Sequence, residues 1–271
     1  MGDPSFVSVG DLMIDITVAG RGHASRVALG AGGAAANAAV WAAACGAEST
    51  VVGRVGHDLA GRALRSAIEE RGVRADLSVD PEAPTGTFLV VDGEIRADRG
   101  ANANLGPDNL PDRLEGDAVL VSGYAPRGAV DAALDRAESD WIALAPGFLD
   151  HPLPHGADAI LVDEVEARRL TGLGPEEAAR ALGGTFRLAC VTRGAAGAVA
   201  ALDGRLQESP VPAPAGAAGS AGAGDAFAAG LLVTLARGAE LAEALETACR
   251  LGATVAASAG HWPPLPAGVQ Q

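Results

Sequence analysis

A chain of 271 residues, 48% hydrophobic and 20% charged, is long enough to bury a substantial core. Its formal charge of −14 argues against nucleic acid or an anionic membrane surface as partner, because both need clustered positive charge. All 20 basic residues are arginine, which excludes a Walker-type phosphate loop ending in Gly-Lys-Ser/Thr.

Residues 6–10, Phe-Val-Ser-Val-Gly, read as a short buried strand that stops at a glycine, and residues 11–18 continue as a second extended piece. Asp15 interrupts that apolar run, either as the solvent side of an alternating strand or as a ligand group at a strand end. Residues 30–41 then lead glycines into an alanine-rich helix with Asn37 one turn inside it. An amide among alanines needs a partner, which is either a neighbouring backbone group or the hydroxyls of a bound ligand. Gly32 and Gly33 permit close approach in both cases. After a strand at 50–52, residues 53–61 turn the chain into a helix with Leu64, Ala67 and Ile68 on one face, and Gly72 ends it.

Residues 77–79, 87–91 and 95–97 are extended, with no helix between them, and Asp92-Gly93 is a hairpin turn. This interval predicts a small sheet projecting from the main domain as a lid, formed by about residues 14–28 and 84–100 of a single 1–271 domain. From residue 118 strands at 119–122, 141–145, 159–162 and 188–192 alternate with helices at 127–138, 164–170 and 175–182. That order predicts an α/β fold with a doubly wound, mostly parallel sheet, whose ligand crevice lies at the carboxyl ends of its strands. Gly10, Ser122, Asp163 and Thr192 fall at such ends. A hairpin around Asp203-Gly204, helices at 225–236 and 240–257, and an irregular Pro-rich tail from His261 complete the chain.

Cys45, Cys190 and Cys249 have no metal-ligand spacing and read as buried free thiols. The first residues lack a basic region followed by an apolar run, and no apolar stretch reaches the ~20 residues of a membrane span, so the expected location is cytoplasmic.

The stretch 219–236 is the most informative. A Gly/Ser/Ala run passes at Asp225 into an apolar helix with Phe227, Leu231 and Leu235 on one face. Helix N-termini leave amides without intrahelical acceptors, so a small-residue turn there lets a phosphate reach the amides of Ala223, Gly224 and Asp225. An acid at that point has two readings: a helix N-cap, or a base that takes a proton from an attacking alcohol beside an anion hole.

In this order the chain resembles the PfkB, or ribokinase-like, family of carbohydrate kinases over nearly its whole length. Residues 32–37, Gly-Gly-Ala-Ala-Ala-Asn, continued by 53–58 and Gly61, look like its N-terminal signature; residues 222–227, Gly-Ala-Gly-Asp-Ala-Phe, look like its C-terminal one. The resemblance implies ATP-dependent transfer of the γ-phosphoryl group to a hydroxyl of a small sugar, with Asp225 as base and residues 222–225 as anion hole. It places Asp15, Gly32, Gly33 and Asn37 on the sugar, and Thr192, Gly194, Gly197 and Ser220 on the nucleotide. It also places Mg²⁺ near Asp163 and Glu166. Two positions depart from the family pattern: Gly219-Ser220 stands where Asp-Thr is usual, and Asp163 where Asn is usual.

Arg96 and Arg99 in the lid read either as a clamp for an acidic acceptor, which would admit sugar acids beside neutral sugars, or as solvated strand residues. The free edges of a lid sheet would also admit a homodimer. Two alternatives remain on sequence grounds: a sugar- or nucleotide-binding regulatory protein that has lost turnover, motivated by Gly219, and a nucleotide-binding α/β enzyme of another family.

Overall fold

The computed structural model describes residues 2–211, 221–258 and 260–264. In chain order the strands are β1 (Ser5–Val9), β2 (Met13–Ala19), β3 (Arg26–Gly32), β4 (Glu48–Gly56), β5 (Arg74–Asp80), β6 (Gly86–Val91) and β7 (Glu94–Asp98). They continue as β8 (Leu114–Glu115), β9 (Ala118–Ser122), β10 (Ala137–Glu138), β11 (Trp141–Ala145), β12 (Ala159–Asp163), β13 (Leu188–Thr192), β14 (Ala198–Leu202) and β15 (Arg205–Ser209). The α-helices are α1 (Ala34–Ala44), α2 (Leu59–Glu69), α3 (Arg127–Arg136), α4 (Glu164–Thr171), α5 (Pro175–Leu182), α6 (Ala223–Ala236) and α7 (Leu241–Ala256).

Nine strands form one sheet in the order β15-β14-β13-β12-β11-β9-β1-β4-β5, parallel from β5 to β13 and antiparallel at the β14 and β15 edge. Central strands buried on both faces read as unbroken apolar runs, as β9 and β12 do. Alternation still sorts the side chains of β1: Phe6 joins the core under α1, α6 and α7, whereas Val7 and Val9 join the core under α3. Helix α6 is apolar on all sides and is buried from Ala226 to Leu235, because it lies between the sheet and both α1 and α7. Gly230 lets α7 come close, since a Cβ there would stand 2.5 Å from Leu251 Cδ1.

A separate sheet has the order β3-β2-β6-β7, and it is the small sheet expected beside the main one. The strand containing Leu77–Val79 does not belong to it. This strand, β5, pairs in parallel with β4 at the edge of the main sheet, because α2 supplies the crossover that a parallel pair requires. The Asp92-Gly93 and Asp203-Gly204 turns both have positive φ at their two central residues, as a tight hairpin demands. Two strand-pairing residues, Ala137 and Glu138, end α3 earlier than periodicity suggested, and Cys45 is half-buried rather than buried.

Asp58 joins the two sheets. Its Oδ1 accepts the Gly61 N–H at 2.7 Å as the N-cap of α2, and its carboxylate also takes the Thr85 N–H at 2.8 Å and hydroxyl at 2.6 Å, just ahead of β6. These donors, led by the Thr85 hydroxyl, hold its pKa below the ordinary value against the opposing effect of desolvation. The contribution is therefore present above the unfolded pKa near 4 and disappears as pH falls through the lower folded value. Asp58→Ala should lower stability by about 1–2 kcal/mol at pH 7 and by less at pH 3, measured by urea unfolding at the two pH values.

Candidate active site

The main sheet reverses its strand order at β1, which has β9 on one side and β4 on the other, and the crevice of a doubly wound sheet opens at such a point. A cavity of about 150 Å³ lies at the carboxyl ends of these strands. Its walls include Ser122 after β9, Asp163 and Glu166 after β12, Thr192 at the end of β13, and Gly224 and Asp225 on α6. Of the four strand-end residues expected there, Ser122, Asp163 and Thr192 line the cavity, and the start of α6 joins them.

Helix α6 begins at Ala223, two residues earlier than the apolar spacing indicated, and its N-cap is Gly222 at φ 78°. That left-handed conformation is cheap only for glycine. Asp225 therefore lies inside the first turn and is not the N-cap residue, which removes that reading of this acid. The first intrahelical bond runs from the Ala226 N–H to the Gly222 carbonyl at 3.0 Å. The N–H groups of Ala223, Gly224 and Asp225 consequently lack intrahelical acceptors and form the positive end of the helix dipole.

Asp225 is half-buried, and its Oδ2 accepts a hydrogen bond from Asn37 Nδ2 at 2.7 Å. Asn37 is 5% exposed, and within the protein its amide serves a carboxylate on another helix rather than a neighbouring backbone group. Burial pushes the Asp225 carboxyl up to about 7, with the carboxylates of Asp11 and Asp15 adding to the rise and Asn37 and His261 opposing it. An acid poised near neutrality can hold or release a proton at physiological pH.

Asp15 on β2 is half-buried and bonded to His261, whose Nδ1 lies 2.8 Å from Asp15 Oδ2. That bond raises the His261 pKa. Gly32 is required beside it, because a Cβ there would stand 2.2 Å from Asp15 Oδ2. Gly33, at φ 95°, turns the chain into α1 with its Cα against the backbone of Asp11 and Leu12. Asp15, Gly32, Gly33, Asn37 and Asp225 thus form one continuous patch between the small sheet and α6.

Asp163 and Glu166 close a capping box on α4: the Glu166 N–H donates to Asp163 Oδ1 at 2.7 Å, and the Asp163 N–H donates to Glu166 Oε2 at 2.9 Å. Asparagine caps a helix as well as aspartate does, so this departure from the family pattern preserves the local fold. Burial pushes Glu166 up to about 7, and the Asp163 carboxylate adds to that rise. Two carboxylates placed so, at the wall of a cavity, suit a divalent cation that also takes phosphate oxygens. Among the described residues no group of three or more His, Cys, Asp or Glu forms a protein-only metal cage.

The remaining expected residues divide. Thr192 lines the cavity. Gly194 has φ 52° in the open turn after β13, and Gly197 is explained by packing, since a Cβ there would meet the Ser209 carbonyl at 2.0 Å. Ser220, like Gly219, lies outside the described residues. Arg96 does not reach the site: it is 74% exposed and pairs with Glu94 at 3.7 Å, because it points away on the outer strand β7. Arg99 does approach, donating through Nη2 to the Tyr124 carbonyl at the cavity rim.

Sequence reading missed Asp11, His261 and Trp262. Asp11 is buried beside the cavity, where Ser122 Oγ donates to its Oδ1 at 3.3 Å, and burial raises its pKa. Residues 260–264 pack against the site, for Trp41 Nε1 donates to the His261 carbonyl at 2.8 Å and ties them to α1. An acid just after a strand-ending glycine was a signal for Asp11, whereas nothing local announced the packing of His261 and Trp262.

Residues 3–267 match the model of the pfkB family carbohydrate kinases. The chain belongs to the pfkB family. The fructokinase of Klebsiella pneumoniae is 31% identical over 261 residues, covering 84% of this chain and 83% of that one. The bifunctional protein HldE of Caulobacter vibrioides is 34% identical over 260 residues and 84% of this chain, which spans only 52% of that relative's length. Among solved structures, a fructokinase double mutant of Vibrio cholerae O395 superposes with a TM-score of 0.83 at 25% identity, over 98% of this chain and 96% of that one. Ribokinase of Thermotoga maritima gives a TM-score of 0.83 at 21% identity, over 95% and 94%, which supports the ribokinase-like fold. No helix among the described residues is long and apolar enough to cross a membrane.

Proposed function

We propose that this pfkB-family chain transfers the γ-phosphoryl group of ATP to a hydroxyl of a small sugar or sugar acid, with Asp225 as the base. The observation that carries the reading is the position of Asp225: a carboxyl held near neutrality, in the first turn of a helix whose bare amides open beside a cavity. The relative named fructokinase agrees with it, as does the fructose- and ADP-bound fructokinase structure.

In this reading the acceptor lies on Asp15, Gly33 and Asn37, under the small sheet acting as a lid. Asp225 takes the hydroxyl proton as the oxygen attacks, and the amides of residues 222–225 receive the charge on the transferred group. The nucleotide runs toward Thr192 and the turn at Gly194. Asp163 and Glu166 would hold Mg²⁺, which when bound neutralises charge on the phosphates. Arg99 rather than Arg96 is the lid arginine placed for an acidic acceptor. Val27 and Leu29 are 61% and 73% exposed on the edge strand β3, on the face of the small sheet opposite Asp15, an apolar edge that fits pairing with a second copy. Gel filtration at micromolar concentration should then give a dimer; a monomer would remove that part.

The test is ADP formation from ATP and Mg²⁺ over a panel of pentoses, hexoses, their acids and nucleosides. Acceptor-dependent ADP formation with sugars supports the proposal. Tight sugar binding without turnover would replace it with the regulatory reading.

A further inference from the structure

The segment from 260 to 264 returns across the site, and Trp262 sits at the end of a chain of contacts that the kinase reading leaves unused. Arg71, at the end of α2, stands 4.7 Å over the Trp262 ring. Trp262 Nε1 donates to Asn37 Oδ1 at 2.7 Å, and Asn37 Nδ2 donates to Asp225 Oδ2 at 2.7 Å. An indole N–H can only donate. It therefore dictates which end of the Asn37 amide faces which neighbour: oxygen toward Trp262, and NH₂ toward Asp225.

We infer that Trp262 is a positioning residue for Asp225, acting through Asn37 by locking its amide so that an N–H always faces the carboxylate. The reverse orientation would offer Asp225 a carbonyl oxygen, which bonds only to the protonated acid and would favour keeping the proton. Locking the amide thus favours the ionised, proton-accepting form. It also occupies Oδ2 with a donor and leaves Oδ1 for an incoming hydroxyl. The other ionisable groups facing Asp225 are Asp11 after β1, Asp15 on β2 and His261 on the same returning segment, with Tyr124, Asp163 and Glu166 across the cavity. None of them orients the Asn37 amide. The assignment rests on the reading of Asp225 as the base for its catalytic meaning, but not for its geometry.

The experiment follows the ¹³C resonance of the Asp225 carboxyl, assigned by its loss in Asp225→Asn, from pH 4 to pH 9. It is run in the intact wild-type chain, in Trp262→Phe, in Asn37→Ala and in the double variant. Phenylalanine keeps an aromatic ring at the position facing Arg71 and removes the donor. Trp262→Phe should raise the Asp225 titration by about one pH unit, and in the Asn37→Ala background it should add nothing. An unmoved titration in Trp262→Phe, or an equal shift with and without Asn37, would overturn the inference. Should the variant fail to fold, the Asn37 side-chain amide protons of the wild type give the second reading. They should exchange slowly and titrate with Asp225; free exchange would overturn the inference. Activity of Asp225→Asn over the sugar panel separates the two proposals. Retained turnover sinks the base assignment alone, while a dead Asp225→Asn with an unmoved titration in Trp262→Phe sinks the positioning role alone.

Discussion

Asp225→Asn should lower kcat for acceptor-dependent phosphoryl transfer by about 10²–10⁴-fold, the usual share of a positioned general base, while leaving the fold intact. Asparagine fills the same space and can still accept from Asn37, so the loss would report the missing proton acceptor. Stability should move the other way. The folded carboxyl is held up to about 7 by burial, whereas an unfolded aspartate titrates near 4, so the folded state binds its proton more tightly. Its contribution to stability is complete below about pH 4 and is lost as pH rises toward 7, above which a charge stays buried at a cost. The variant, which cannot ionise, should therefore melt several degrees above wild type at pH 8, at about 2–4 °C per kcal/mol. Toward pH 5 the gap should shrink. Scanning calorimetry at the two pH values, beside the kinetics, checks both halves.

Gly33→Ala should damage both the fold and the acceptor site. At φ 95° a side chain is strained, and its Cβ would stand 2.5 Å from the Asp11 carbonyl and 2.7 Å from Leu12 Cα. Those are backbone atoms of the β1–β2 connection, which cannot step aside without moving Asp15 and the Leu12 N–H that Asn102 Oδ1 accepts at 3.0 Å. A cost of about 3 kcal/mol or more follows from strain and overpacking together. The midpoint of thermal unfolding should fall by about 6–12 °C. Surviving protein should show an acceptor KM raised at least tenfold, with the KM for ATP changed far less, because the turn borders Asp15 and Asn37 rather than Thr192. Parallel KM measurements on the two substrates check that split.

Periodicity and turn chemistry carried most of the fold. Alternating strands and helices from residue 118 onward were legible because parallel pairs need crossovers, and the small sheet was legible because no helix separates residues 86–98. The strand at 74–80 escaped assignment to the main sheet because its alternation looks the same at the edge of either sheet. In the site, the strand-end residues Ser122, Asp163 and Thr192 converge because topology forces it, and Gly222 with Asp225 was visible from small residues ahead of an apolar helix. Side-chain pairing over long separations was not. The Asn37–Asp225 bond spans 188 residues, and the Trp262–Asn37 bond spans 225. No local pattern encodes such contacts. Arg96 misled because strand alternation gives the face a residue takes only relative to its neighbours, and its face proved to be the outer one.

The most direct test is a crystal structure of the protein with a non-hydrolysable ATP analogue, Mg²⁺ and the sugar that gives the highest turnover. Our account predicts the terminal phosphate at the amides of Ala223, Gly224 and Asp225, and one sugar hydroxyl within about 2.6–3.2 Å of an Asp225 oxygen and in line with that phosphate. A sugar held elsewhere, or a terminal phosphate lying away from the start of α6, would contradict it.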